Sequence, residues 1–424
     1  MTRTEATTSK PGDPPKSPSW WQTLGTTVLL PNFLYGTGQG SLIPIVPLFA
    51  HQLGASLATA ALVAAMLPGG QWLSNIPAGW LVGRIGERRT IYVGAAIACL
   101  GAIVCWLSIS VVMLSLGVLM VGSAAAVFNL ARQSFVTVAV PLAYRGRGMS
   151  LLGGANRGGV LVGPFLSAMV IKLTGDTGDA FAVGAAASLS IIVLMPFLPA
   201  EPTFSASAEL DRIPKGPGNL GIWGTFKARH DVLLRVATSV GLINFMRTSR
   251  QIIVPLVGLT MGLHAVDISL VVGIGAVVEF GLFYLGGQIM DRFGRLWTAI
   301  PSMAMFAISH GVLAVAPELI HPFAWYVGAS MLMAVGNGIT SGVVAAMGSD
   351  LADQRAPAAF LSAWRSITDL GPAAAPFVIS GVTAAVSLAA ASGVMGGVAV
   401  VGAVLLLRYV PRYLPKRAGQ ATSP

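Results

Sequence analysis

Seven charged residues of this 424-residue sequence stand well inside long apolar stretches: Arg132, Arg157, Arg247, Arg250, Arg365, Glu279 and Asp369. A charge is costly in an apolar solvent, so such residues face a water-filled cavity or a partner. Glu279 has no arginine close to it along its own helix. A lone carboxyl there is suited to taking up and releasing a proton. Asp369 is the second candidate for that role. Arg365 lies four residues before it on the same helical face, so these two can equally neutralise each other. For Arg132 and Arg157 two readings stand, hydrogen bonds to the carbonyls of kinked helices or contact with a solute. Arg132 shares a face with Asn129, and Arg250 with Arg247. Five arginines against two acids leave the apolar interior formally cationic, which favours an anionic or zwitterionic solute over a cationic one.

Uncharged polar residues extend the set. Asn32, Tyr35 and Gln39 follow the i, i+3, i+7 spacing of one helical stripe. Such a stripe lines a cavity or hydrogen-bonds a neighbouring helix rather than facing lipid. Gln71, Asn244 and Asn337 are further candidates for solute contact, with Trp364 as a stacking surface. His310 stands alone and reads as a locally satisfied side chain. Cys99 and Cys105 lack metal-ligand spacing and read as small buried residues. The sequence has no Gly-rich phosphate loop followed by Lys and Ser/Thr, no metal-spaced cluster and no hydrolase nucleophile motif. It predicts neither an enzyme nor a cofactor or metal, and it argues against ATP as the direct energy source.

The elements that must position these residues follow from composition. Apolar residues make up 54% of the chain and charged ones 10%, with a mean hydropathy of +0.75. Soluble domains carry about 25% charge, so lipid must be the solvent for much of this surface. Helices of spanning length are predicted at 24–50, 57–82, 90–110, 112–140, 149–172, 180–198, 232–260, 267–290, 298–316, 322–348, 357–381 and 383–408. These bounds put Glu279 and Asp369 roughly 16–18 Å deep, near the midplane. Arg132, Arg157 and Arg365 fall in the inner half, and Arg247 and Arg250 in the outer half. Basic residues sort to one side: Arg84, Arg88, Arg145, Arg212, Arg292, Arg295 and both tails stand there, against Lys172 opposite. By the positive-inside rule the termini and the central stretch are cytoplasmic. The net charge of +10 therefore reports topology, and no nucleic-acid partner is expected.

A gapless shift of 208 residues maps the chain onto itself. Pro47 lands on Pro255, Asn129 on Asn337, Arg157 on Arg365, and Gly163-Pro164 on Gly371-Pro372. Gly79, Arg84, Gly86 and Thr90 land on Gly287, Arg292, Gly294 and Thr298. The match fails where chemistry is concentrated, since Glu279 falls on Gln71 and Asp369 on Leu161. One repeat of half the length in so apolar a chain predicts two equivalent bundles with a site between them. The expected fold is an all-α membrane protein of twelve spanning helices in two pseudo-symmetric six-helix bundles. Residues 21–199 and 231–410 form the bundles, 200–230 the linker, and 1–20 and 411–424 cytoplasmic tails.

The stretch Gly79–Arg89, with Arg84, Gly86 and Arg88, resembles the loop signature of the major facilitator superfamily. So does Gly287–Arg295, with Asp291, Arg292, Gly294 and Arg295. Gly83 stands where that family usually has Asp, which leaves Glu87 as the nearest acid of the first copy. Glycines suit tight turns there, while the charges either gate by latching helix ends or only tie helices together. The run from Gly159 through Gly163-Pro164 to Ser167-Ala168 is similar to the antiporter motif of exporting members, with Ser167 and Ala168 replacing its last two glycines. Its other reading is pure helix packing. The resemblance implies proton-coupled efflux of a small organic compound by alternating access. Protons, a small-molecule substrate and the bilayer are then the partners of a monomer in a bacterial inner membrane. Proton-coupled or facilitative uptake of an organic acid or sugar is the alternative. A non-transporting membrane sensor is another, although the short cytoplasmic parts leave no room for a folded signalling domain.

Overall fold

The computed structural model describes residues 29–139, 145–197, 227, 229–352 and 357–413. The expected tails and linker lie almost wholly outside the described residues, as does the side chain of Glu87. Helices α1 (Leu30–Gln52), α2 (Leu57–Ile85), α3 (Glu87–Trp106), α4 (Val111–Ala139), α5 (Arg145–Thr174) and α6 (Phe181–Leu194) occupy the first six expected segments. After a π-helical turn at Leu233–Ala237 come α7 (Thr238–Thr260), α8 (Ala265–Phe293) and α9 (Leu296–Val315). The next two segments keep their expected positions, and each is divided between two helices. One holds α10 (Pro322–Ile339) and α11 (Val343–Leu351), the other α12 (Pro357–Thr368) and α13 (Leu370–Ala385). The last helix is α14 (Leu388–Tyr413). No strand occurs among the described residues.

Nine stretches among the described residues are long and apolar enough to cross a membrane. The chain is an integral, multi-pass membrane protein. Helix α1, helix α7 and the α12–α13 pair fall outside those nine. Helix α1 carries the Asn32–Gln39 stripe and α7 carries Arg247 and Arg250, polar residues that lower the hydropathy of these two helices.

The 208-residue offset persists in the packing. Helix α1 packs on α5 and α6, α3 on α4 and α6, and α2 on α4. The counterparts recur: α7 on α13 and α14, α9 on α10 and α14, and α8 on α10. Contacts across the repeat join α1 to α7, α2 to α13, and α5 to α8. Helices α2 and α8 stop at equivalent glycines, Gly86 with φ 80° and Gly294 with φ 102°. Backbone at such angles is open to glycine and strained for other residues, which explains these two motif positions. Gly79 and Gly287, by contrast, lie inside α2 and α8 rather than in turns. The tight-turn role expected of them is thereby corrected.

Lipid offers no hydrophobic force between helices, so close van der Waals approach must supply the association. A Cβ on Gly159 would overlap the Phe33 carbonyl, and one on Gly163 the Ser41 amide, so this run is a face of α5 pressed on α1. Ser167 Oγ adds a 3.0 Å bond to the Ser41 carbonyl. Gly371 repeats the device on α13, where a Cβ would come 2.5 Å from the Gly241 carbonyl of α7. Two neighbouring glycines on α8 test the principle. A Cβ on Gly286 would overlap the Ile339 carbonyl of α10, whereas nothing lies within 4 Å of one on Gly287. Gly286→Ala is expected to lower thermal stability by about 1–3 kcal/mol, and Gly287→Ala to be neutral or slightly stabilising. Unfolding of the two purified variants by heat checks the contrast.

Candidate functional site

Glu279 is not the lone carboxyl expected from its own helix. It sits midway along α8, and Arg250 Nη1 of α7 donates to its Oε1 in an ion pair whose side chains are 11% and 19% exposed. Asn337 Nδ2 of α10 donates to the other carboxylate oxygen at 2.6 Å. Three helices thus meet on one acid. Glycines make room for it. A Cβ on Gly338 would come 3.2 Å from Glu279 Cα, and one on Gly275 3.0 Å from Arg250 Nη2. Arg250 also borders a partly open cavity of about 50 Å³, with Gln251 and Ser330 as further polar lining and Val160 and Pro164 reaching in from α5. That is room for a bound water.

Two residues beyond Asn337 the span breaks. Thr340, Ser341 and Gly342 separate α10 from α11, and Gly342 adopts φ 85°. Arg247 of α7 grips this break, donating from Nη2 to the Thr340 carbonyl at 2.7 Å and to its hydroxyl at 3.2 Å. Its Nη1 donates to Asn244 Oδ1 at 3.3 Å, and Asn244 Nδ2 reaches the Thr368 carbonyl at 3.5 Å. From the other repeat, Arg157 Nη1 of α5 donates to Ser341 Oγ, and its guanidinium lies 4.5 Å from the centroid of the Phe283 ring. Arg157, Asn244, Arg247, Arg250, Glu279 and Asn337 therefore form one hydrogen-bonded region. Broken helices at membrane depth are where backbone groups become available to ions and solutes.

A second cluster belongs to the first repeat alone. Arg132 donates through Nη1 to Asn32 Oδ1 and through Nη2 to Asn129 Oδ1, while Asn32 Nδ2 donates to the Leu152 carbonyl at 2.5 Å. Tyr35 is buried and stacks on Phe128 at 4.4 Å between ring centroids. Asn32 thus hydrogen-bonds neighbouring helices, one of the two readings of that stripe, while Tyr35 packs on Phe128 with its hydroxyl unpartnered; Gln39 and Gln71 are half-buried. Trp364 is also corrected: it is 1% exposed, spends its indole N–H on the Val344 carbonyl at 3.1 Å and wedges against Gly348. In this conformation it offers no stacking surface. Asp369 is half-buried at the α12–α13 junction, with Arg365 exposed one turn before it and Gly371-Pro372 just after. A separate groove of about 680 Å³ is lined by residues such as Leu57, Val257, Leu313 and Leu388 and holds none of the candidates.

The loop signatures differ between the repeats. Arg295 donates from Nε and Nη2 to the two carboxylate oxygens of Asp350 on α11, at 2.8 and 3.3 Å, and from Nη1 to Asp291 Oδ1 at 3.2 Å. In the first copy Arg88 Nη2 donates to the Met195 carbonyl at 2.6 Å, and Arg84 lies 5.0 Å from the Trp80 ring centroid. Arg292 lies 5.4 Å from the Phe293 ring centroid. Sequence reasoning missed Thr340, Ser341 and Phe283. The Ser-Gly pair inside an apolar run was the available signal for the break.

Removing one partner of the buried pair strands the other. Glu279→Gln is expected to cost about 3 kcal/mol of stability because Arg250 loses its counter-charge. The double variant Arg250→Gln/Glu279→Gln recovers most of that loss. Thermal unfolding of the single and double variants checks this, and strictly additive losses would contradict it.

Comparison with known proteins follows from this geometry. The family model described as Major Facilitator Superfamily matches residues 28–356 and again 245–424. Two uncharacterized MFS-type transporters of Mycobacterium tuberculosis, from strains CDC 1551 / Oshkosh and ATCC 25618 / H37Rv, are each 26% identical over 163 residues. That match spans 38% of this chain and 24% of the length of those relatives. Among solved structures, the nucleoside transporter NupG shares the fold with a TM-score of 0.73 at 12% identity, over 91% of this chain and 100% of that one. A POT family transporter in complex with a thioalcohol conjugated peptide gives 0.72 at 13%, over 92% and 96%. A D-xylose-proton symporter gives 0.69 at 15%, over 95% and 100%. Identities this low speak for the fold alone. The family match runs across nearly the whole described chain, and by that match, together with its repeated helical packing, the chain belongs to the Major Facilitator Superfamily.

Proposed function

We propose that this chain is a secondary active transporter that moves a small organic anion or zwitterion by alternating access, coupled to protons and working as an exporter. The observation that carries the reading is the half-buried Glu279 carboxylate, joined through Asn337 to a helix break that an arginine of the other repeat also holds. Neutralising Glu279 by a proton removes the charge that binds Arg250 and weakens the acceptor for Asn337, so the α7–α8–α10 junction loosens. The cavity beside Arg250 can seat a water to carry that proton. Asp369, at the one-residue α12–α13 junction, is the other proton candidate.

The repeated pairings support twelve spans in two six-helix bundles, residues 21–199 and 231–410, rocking on the α1–α7, α2–α13 and α5–α8 contacts. Residues 200–230 link them, and the basic loops put both termini in the cytoplasm of a bacterial inner membrane, with the monomer as the working unit. Export rests on the likeness of the Gly159–Pro164 run to exporters. Proton-driven uptake is the second reading, supported by the D-xylose-proton symporter of the same fold.

Proteoliposomes loaded with a pH-sensitive dye separate these. A panel of small carboxylates, amino acids and neutral analogues is added outside. Antiport makes the lumen alkaline as solute enters and protons leave; symport makes it acidic. The double variant Arg250→Gln/Glu279→Gln, which keeps the fold, is expected to abolish solute-driven proton movement. Undiminished movement there would remove Glu279 from the mechanism and leave Asp369→Asn as the next variant.

A further inference from the structure

The three arginines around the α10–α11 break are not equivalent. Arg250 is neutralised by Glu279. Arg247 and Arg157 are bonded only to neutral acceptors, the Thr340 carbonyl and hydroxyl and Asn244 Oδ1 for the first, and Ser341 Oγ for the second. Arg247 Nε is buried with no hydrogen-bond partner. The two guanidinium groups reach adjacent residues of one break from opposite repeats. They are close enough to repel each other, and both feel the Glu279 carboxylate. Three cations against one anion leave this region with two uncompensated positive charges. Holding like charges together away from water is unfavourable, and an incoming anion relieves it. The cluster at Arg132 has the same neutral acceptors and a buried Nε without a partner, but both its acceptors, Asn32 and Asn129, come from the first repeat, so an anion there would not bridge the repeats.

We propose that Arg157 and Arg247, with Thr340 and Ser341 between them, form an anion subsite that takes the carboxylate of the transported solute. The planar forks suit a carboxylate, one oxygen facing each arginine, with the Arg247 Nε–H supplying a donor that is now idle. The Ser341 hydroxyl occupies part of the place the anion takes. Because Arg157 precedes the linker and Arg247 follows it, a bound carboxylate ties the two repeats together more strongly than the single hydroxyl does. The inference rests on the transporter reading for its solute.

Its test uses the full-length protein in nanodiscs. Acetate, lactate, benzoate and citrate are titrated while thermal unfolding is followed, with acetamide and benzamide as neutral counterparts and inorganic phosphate as a competing anion. At least one carboxylate is expected to raise the unfolding temperature where its amide does not. Arg247→Gln and Arg157→Gln should each weaken that carboxylate by about tenfold or more, and Arg229→Gln, on an exposed turn, should leave it unchanged. Arg247→Lys and Arg157→Lys, which keep the charge and lose the fork, should fall between; they also serve if a glutamine variant does not fold. Stabilisation by no carboxylate, equal stabilisation by the amides, phosphate binding more tightly than every carboxylate, or unchanged affinity in the arginine variants would each overturn the subsite. Carboxylate binding that falls in those variants without any proton movement in the dye assay would keep the subsite and remove the transporter reading. Proton movement with unchanged affinity would do the reverse.

Discussion

A carboxylate buried among lipid-embedded helices can stay charged only if a cation and donors come to it, and the second repeat is arranged around meeting that demand at Glu279. Arg250 approaches from α7 and Asn337 from α10, so the acid fixes the spacing of three helices at once. The glycines follow from it. Gly275 leaves space for the Arg250 guanidinium, and Gly338 lets α10 pass close to the Glu279 backbone. A larger side chain at either position would press on the partners of the pair and oblige them to shift. The packing around the pair is therefore subordinate to its electrostatics.

The repeat shows how one scaffold carries two kinds of chemistry. Asn129 and Asn337 are equivalent positions with opposite hydrogen-bond roles. Asn129 accepts from Arg132, and Asn337 donates to Glu279. An amide offers both an acceptor and donors, so the same residue serves a cationic nest in one half and an anionic one in the other. The loop signatures diverge in a similar way. Under the 208-residue shift Arg295 corresponds to Glu87 and Asp291 to Gly83, so the bidentate clasp on Asp350 has no counterpart built from the same residues. Shared positions set the turns and helix contacts, and unshared ones set the charges.

The positions of the helices were legible in the sequence because hydropathy and length are local properties. The partner of Glu279 was not, since Arg250 stands 29 residues away on a different helix and only packing brings the two together. Depth estimates had placed Arg250 toward the outer half, where a side chain of that length still reaches a central acid. Trp364 was misread for a related reason. An aromatic ring reads the same from sequence whether it lines a cavity or fills a gap over Gly348. The α10–α11 break leaves only a faint mark in the sequence, the Ser341-Gly342 pair, because three residues barely interrupt an apolar run; the φ of 85° at Gly342 makes the stop plain. The Gly159–Pro164 run was legible as a motif, yet its atoms are engaged in packing α5 on α1.

Helix α11 joins the two polar systems of the second repeat. At one end it begins beside Thr340 and Ser341, which Arg247 and Arg157 hold. At the other, Asp350 is clasped by Arg295 between α8 and α9. The helix is 9 residues long, roughly 13 Å, and too short to bend appreciably. A short rigid rod held at both ends transmits displacement rather than absorbing it. Any change in what Arg157 and Arg247 grip at the break must then be met by a shift at the Arg295 clasp, or by rotation about Gly342, whose left-handed backbone is the flexible joint on that path. The arginines at the break and the Arg295 clasp thus hold opposite ends of one short helix.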